Sequence, residues 1–318
     1  MKKTAIILLT GFLGSGKTSV INHLLETMPA TASSPQMTEK PRIGIIVNEF
    51  GKVSIDGPVL RSHGYEIAEL NNGSIFCQCL AGSFIESMAQ MLTFDPDFLL
   101  IESSGLADPS GMGVFLDQLK QLTDHPYTYA GAICVIDAKY FRKLSKSLDT
   151  VNRQILAASL IVINKTDLVD SDTLQAVENS VRRLNPLAAT VTVTHGRIDP
   201  ALLQSMRRSR LGRRLSSINT PSSRPATVLL LTQDCLEKEN LLSFIGLFQE
   251  RIYRIKGLVR LPAGFHRLDV IGGEISLDPV ALSGERSEIV IIPQPGLALR
   301  SEVAAAAESV LKIRAELG

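Results

Sequence analysis

The sequence predicts an α/β protein, with a doubly wound, mostly parallel sheet followed by a smaller α+β domain. Three observations predict it. Short, continuous β-rich apolar runs recur with helical segments between them. Glycine-rich or polar motifs follow the ends of those runs, where open parallel sheets bind their ligands. Composition then shifts across residues 206–225, and a further set of strands and helices follows.

The elements can be taken in order. Residues 4–10 (TAIILLT) are a continuous apolar run, read as a buried strand, and residues 17–27 read as a helix. The stretch from Pro29 to Pro41 is rich in Ser, Thr and Pro and reads as a loop. Residues 42–48 (RIGIIVN) form a second buried strand. Helical spacing returns from Phe84 to Leu92, where Met88 and Met91 read as core packing. Phe98 to Glu102 is a third strand, Ala130 to Ile136 a fourth, Leu160 to Asn164 a fifth and Thr190 to Thr194 a sixth.

Residues 206–225 (MRRSRLGRRLSSINTPSSRP) are basic, then rich in Ser and Pro, and read as a linker. The cluster Arg207, Arg208, Arg210, Arg213 and Arg214 reads as a solvated helix end or part of that linker. Beyond it, Thr227–Thr232 reads as a strand and Leu236–Glu250 as a helix. Tyr253–Leu261, His266–Leu277 and Ser287–Pro293 read as strands, and residues 300–316 as an Ala-rich helix. The expected domains are 1–205 and 226–318, joined by the linker 206–225, which suits 318 residues at about 100–200 per domain.

Composition narrows the function. The chain has 33 basic and 32 acidic residues and a formal charge of +1, so neither a nucleic-acid nor a membrane partner is expected. Four cysteines, Cys77, Cys79, Cys134 and Cys235, are too few for a disulfide framework in a chain this long. A reducing, cytoplasmic location is expected. Cys134 and Cys235 read as core residues of or near strands. Lys2, Lys3 and Ala30-Thr31-Ala32 imitate a signal peptide, but Gly11, Gly14 and Gly16 break the short apolar run. No stretch of about 18 apolar residues suggests a membrane span.

Gly11-Phe12-Leu13-Gly14-Ser15-Gly16-Lys17-Thr18 fits G-x-x-x-x-G-K-[ST], the phosphate loop of P-loop NTPases. The glycines let backbone N–H groups wrap the phosphates, and Lys17 reaches the β- and γ-phosphates. The helix that opens at Lys17 aims its positive dipole end at the anion. The Thr18 hydroxyl would hold Mg²⁺, and Ser15 and Ser19 belong to the expected nucleotide-binding set.

Asn164-Lys165-Thr166-Asp167 closes a predicted strand. A carboxylate at Asp167 accepts from the ring N–H and the exocyclic amine of guanine. Adenine offers neither donor in that geometry, so a buried Asp167 would stay unpaired against it, at a cost of several kcal/mol. Between these motifs, Glu102-Ser103-Ser104-Gly105 follows the third strand. Glu102 can orient Mg²⁺ or its water shell, and the Gly105 N–H can contact the γ-phosphate. Lys17, Glu102 and Gly105 are therefore the expected catalytic set.

With these residues in view, the chain resembles the CobW-type (CobW/HypB/UreG-like) P-loop GTPases, a metallochaperone family. The resemblance also rests on Val47-Asn48-Glu49-Phe50-Gly51, Glu69-Leu70-Asn71-Asn72-Gly73 and Glu102–Pro109. Thr194-His195-Gly196-Arg197-Ile198-Asp199-Pro200 looks like the later base-side loop, which places His195 beside the base. Arg254-Ile255-Lys256-Gly257 looks like the opening of the family's C-terminal domain. The resemblance implies a slow GTPase with GTP and Mg²⁺. Its hydrolysis would be coupled to metal delivery or to maturation of a client metalloenzyme or cofactor protein. A homodimer is left open.

One motif departs from the family. Its members usually carry Cys-x-Cys-Cys directly after the glycine matching Gly73, whereas this chain reads Gly73-Ser74-Ile75-Phe76-Cys77-Gln78-Cys79. In an extended segment Cys77 and Cys79 point to the same side, which gives half of a tetrahedral thiolate site. Glu49, a histidine or a second chain would complete a site for Zn²⁺ or another transition metal. The other reading is two structural or redox-active cysteines. Three functions are thus expected: a metallochaperone GTPase, an activator or repair factor of a cofactor protein (a corrinoid protein, for example) that carries no metal, and a purely regulatory GTP-dependent binding switch.

Overall fold

The computed structural model describes residues 3–28, 41–48, 66–70, 81–209, 227–271, 273–280, 286–294 and 297–317. They form two compact units.

The first unit is built on a seven-stranded sheet. Its strands are β1 (Thr4–Thr10), β2 (Ile43–Asn48), β3 (Glu66–Leu70), β4 (Phe98–Glu102), β5 (Tyr127–Asp137), β6 (Leu160–Asn164) and β7 (Ala189–Thr192). Their order is β3-β2-β4-β1-β5-β6-β7, and every neighbouring pair is parallel. The sheet order switches sides at β1, which lies between β4 and β5. Leu9 is therefore in register with Glu102, and Thr10 with Cys134.

Helices α1 (Lys17–Thr27), α2 (Ala81–Leu92), α3 (Met112–Leu119), α4 (Phe141–Ser147), α5 (Asp149–Ala157), α6 (Ser171–Leu184) and α7 (Ala201–Ser209) complete this unit. β1 shows why two helical layers are needed. Ala5, Ile7 and Leu9 enter one core with Val20, Leu24, Val162 and Leu203, while Ile6 and Leu8 enter another with Phe84, Met88, Leu99 and Phe115. Alternate side chains leave opposite faces of a strand, so a strand buried on both faces reads as an unbroken apolar run. Each such Leu or Ile contributes about 1.5–3 kcal/mol when fully buried. Met88, Met91 and Cys134 are core residues, as expected.

The segment expected to be linker from residue 206 begins as the end of α7. Leu203 and Met206 are buried in the core, so the helix continues through them. Arg207 is not simply solvated. Its guanidinium donates to the Lys3 carbonyl at 3.0 Å, lies 3.6 Å from the Asp97 carboxylate and stacks over the Phe98 ring. Residues 210–226 lie outside the described ones.

The second unit has strands β8 (Val228–Thr232), β9 (Ile252–Leu261), β10 (Gly264–Ile271), β11 (Glu274–Pro279), β12 (Ser287–Pro293) and β13 (Glu316–Leu317), with helices α8 (Lys238–Phe248) and α9 (Arg300–Ala306). The order is β11-β10-β9-β12-β8-β13, antiparallel throughout. Leu241, Phe244, Ile245 and Phe248 of α8 and Val303 of α9 pack with Ile255, Val259, Ile289 and Ile291 of the sheet.

Three expectations are corrected here. The strand read across 266–277 is a hairpin of β10 and β11. Gly273 has φ 90, a conformation open to glycine, and the chain reverses there. The helix read to residue 316 ends sooner. It passes through a π turn at Ala307–Leu311 and stops at Lys312, φ 57, which lets Ile313 pack into the core and β13 pair with β8. Cys235 is exposed rather than core. It sits in the loop before α8, and the next residue, Leu236, is the buried one.

Candidate functional site

The carboxyl ends of β1, β4, β5 and β6 bring the motifs together. After Thr10 the chain turns through Gly11, Gly14 and Gly16, all with positive φ, and enters α1 at Lys17. Gly16 has φ 102, and a Cβ there would collide with the Asn164 side-chain nitrogen. Only glycine meets both demands. Lys17 is buried, and its ammonium donates to the carbonyls of Gly11 at 2.9 Å and Phe12 at 3.4 Å. These bonds hold the charge over the loop, at the positive end of α1.

Thr18 follows in the first turn of α1. Its hydroxyl donates to the Glu102 carboxylate, at 3.2 Å to Oε1. Glu102 is buried at the end of β4, and the next residue is tied back to β1, since the Ser103 N–H and hydroxyl both donate to the Leu9 carbonyl. Gly105 lies in the turn beyond. A Cβ on Gly105 would lie 2.5 Å from the Leu13 nitrogen, so this turn is pressed onto the phosphate loop.

Asn164 joins the loops on the other side. Its side-chain nitrogen donates to the Ser15 carbonyl and its oxygen accepts from the Gly196 N–H, both at 2.9 Å. Gly196 in turn lies against Ser19 and Val20, where a Cβ would meet the Val20 nitrogen at 2.7 Å. His195, next to it, is exposed with φ 53. Lys165 takes a left-handed backbone, φ 59, and its ammonium pairs with the Asp137 carboxylate at 2.8 Å. Asp137 also accepts from the backbone N–H groups of Lys139 and Tyr140, so it orders the loop after β5. Asp167 lies on the short 3-10 turn Thr166–Leu168 and is exposed, so the burial expected of it is absent from this arrangement.

Gly11, Gly14, Ser15, Gly16, Lys17, Thr18 and Ser19 thus form one wall, Glu102 and Gly105 a second, and Asn164 and Lys165 a third. Glu49, Cys77 and Cys79 lie outside the described residues. Among the described residues no group of three or more His, Cys, Asp or Glu is arranged to hold a metal ion. No helix among them is long and apolar enough to cross a membrane.

The residues present fit a magnesium nucleotide. Around the phosphate loop the hydroxyl oxygens of Thr10, Ser15 and Ser104 are buried without a hydrogen-bond partner among the described residues. Orphaned buried polar atoms are rare and point to a missing ligand or ion. Thr18 and Glu102 offer the oxygen donors that a hard divalent cation takes. Cys134 beneath the loop plays no part: burial pushes its thiol up to about 12, despite the opposing effect of Lys17, so it stays neutral.

Sequence reasoning missed Asp137 and Gln154. Gln154, on α5, donates through its side-chain nitrogen to the carbonyls of Gly105 and Ala107. Neither residue sits in a motif with fixed spacing, and only the folded sheet brings them to the site.

The family model described as the CobW/HypB/UreG nucleotide-binding domain matches residues 5–192. The chain belongs to the CobW/HypB/UreG family. The match runs from β1 to the last residue of β7 and stops short of His195 and Gly196. Among curated relatives, the chain is 34% identical over 232 residues to the zinc chaperone CobW of Sinorhizobium sp, 63% of this chain and 62% of that protein. It is 30% identical over 209 residues to the zinc chaperone YjiA of Escherichia coli (strain K12), 64% of this chain and 61% of that protein. These two matches span under two thirds of the relatives' lengths. A third, to the zinc chaperone YeiR of the same organism, is 26% identical over 312 residues and covers 90% of this chain and 92% of the relative.

Proposed function

We propose that this chain is a Mg²⁺-dependent GTPase that switches between two states and delivers metal to a client metalloprotein, or matures that protein. The observation that carries the reading is the Thr18 hydroxyl at 3.2 Å from the Glu102 carboxylate, beside the buried Lys17 ammonium. These groups belong to three tasks of one reaction. Backbone N–H groups of the loop and Lys17 bind the phosphates. Thr18 and Glu102 hold Mg²⁺ or its water shell, and Asp167 reads guanine.

Mg²⁺ would neutralise charge on the β- and γ-phosphates. The chain's own part is positioning. Asn164 locks the phosphate loop to the Gly196 loop, and the Ser103 bonds to Leu9 fix the start of the Glu102–Gly105 segment. In the GTP state the Gly105 N–H contacts the γ-phosphate, and hydrolysis releases that segment.

Family membership and the zinc chaperone names of the relatives support a metal cargo, Zn²⁺ or another transition metal. Cys77, Cys79 and Glu49 are the proposed cargo ligands, His195 lies at the base side, and the working compartment is the cytoplasm. A second reading has its own observation. Ser74 and Phe76 stand where the family carries its first two cysteines. A chain with that change would activate a client protein without carrying metal itself.

The test is hydrolysis by the purified chain, comparing GTP with ATP, with and without Mg²⁺. The proposal expects Mg²⁺-dependent GTP turnover that is lost in Lys17→Ala. Equal turnover of both nucleotides, or turnover unaffected by Lys17→Ala, would overturn it.

A further inference from the structure

Gln154 projects from α5 into the interior and is only 1% exposed. Its side-chain nitrogen donates to the Gly105 carbonyl at 3.2 Å and to the Ala107 carbonyl at 3.0 Å. Two acceptors face that end of the amide, so chemistry fixes its orientation, because an oxygen placed there would oppose two carbonyl oxygens. The other end, Oε1, is buried and has no hydrogen-bond partner among the described residues.

The two carbonyls belong to one turn. The Ala107 N–H closes it by donating to the Ser104 carbonyl at 3.0 Å. Since the peptide is planar and trans, the Gly105 N–H points opposite to that carbonyl, out of the turn. The same turn is pressed against Leu13 of the phosphate loop. α5 is itself anchored: Asn185 donates through its side-chain nitrogen to the carbonyls of Ile155 at 2.7 Å and Ala158 at 2.9 Å. Arg153, next to Gln154, reaches the Asp108 carboxylate at 3.8 Å, just beyond the turn.

We propose that Gln154 is a positioning residue for GTP hydrolysis, its amide setting the orientation of the Gly105 turn against the phosphate loop. The inference rests on the GTPase reading above. Each proton of the amide has one acceptor, so the turn cannot rotate without losing a bond and burying an unpaired carbonyl. Gln154 thereby favours this orientation of the Gly105 turn over a rotated one.

Two variants test this beside the wild type. Gln154→Met keeps the length and removes both donors. Gln154→Glu donates only when protonated; Arg153, its neighbour in sequence, and Asp108, just beyond the turn, form an ion pair at 3.8 Å. Steady-state GTP hydrolysis, GDP affinity and melting temperature are measured for each. Gln154→Met is expected to lower kcat by about 10- to 100-fold, the range for a misplaced reacting group. KM for GTP and the affinity for GDP should change by less than about threefold, a split expected when an interaction serves the transition state rather than binding. Gln154→Glu should regain kcat as the pH is lowered, relative to the wild-type profile. Unchanged kcat in Gln154→Met, or parallel loss of kcat and GDP affinity, would overturn the inference. If Gln154→Met does not fold, the Gln154→Glu profile decides, and no gain at low pH overturns it. A wild type without GTP turnover would instead refute the GTPase reading itself.

Discussion

The Thr18 hydroxyl and the Glu102 carboxylate meet at 3.2 Å, joining the first turn of α1 to the last residue of β4. The two are far apart in sequence and come together because β1 and β4 are neighbours, with Leu9 in register with Glu102. Glu102 is buried and carries the charge of this pair. Glu102→Gln keeps the size and removes the charge. It should lower kcat for GTP by at least about 100-fold, by loss of a group that organises charge in the transition state. GDP affinity measured without Mg²⁺ should change little. Full activity in this variant would remove Glu102 from the magnesium site.

Asn164 ties the phosphate loop to the Gly196 loop. Asn164→Ala leaves the Ser15 carbonyl and the Gly196 N–H without their partner in a buried site. Such losses cost about 1–3 kcal/mol. Guanine nucleotide affinity, measured by titration, should fall by about 10- to 100-fold, the equivalent of that energy. Wild-type affinity would mean the two loops hold their places without it.

Much of this was legible in the sequence, for a physical reason. β1, β4 and β6 are buried on both faces, so each reads as an unbroken apolar run. β3 is less legible, because EIAEL carries two glutamates and so is not an unbroken apolar run. The helices between β4 and β7 are short or strongly polar on one face, so none of them reads as a long apolar segment. The phosphate loop and NKTD were visible because their chemistry demands fixed spacing. Gln154 and Asp137 act through contacts that only the strand order creates, so no spacing announces them.

Asp167 is exposed on its turn, and its proposed role is to accept from guanine. Asp167→Asn replaces one acceptor by a donor. Competition binding should show weaker GTP binding and a shift of preference toward xanthosine nucleotides. A variant that still prefers GTP would contradict the base-reading role.

Cys134 and Cys235 differ in environment. Cys134 is fully buried with its thiol held up to about 12, whereas Cys235 is exposed. Alkylation needs the thiolate and access to it. In a Cys77→Ser/Cys79→Ser background, mass spectrometry should find Cys235 labelled promptly at neutral pH and Cys134 only after denaturation. Prompt labelling of Cys134 in the native protein would contradict the core described above.

The central claim is that the guanine nucleotide controls a metal. Its most direct measurement is the Zn²⁺ affinity of the purified chain, with GDP and with a non-hydrolysable GTP analogue, beside the Cys77→Ser/Cys79→Ser variant. The account predicts that the two nucleotide states differ by about 10-fold or more, within the usual range of coupling between sites, and that the variant loses the difference. Equal affinity in both states, or no Zn²⁺ binding in either, would contradict it.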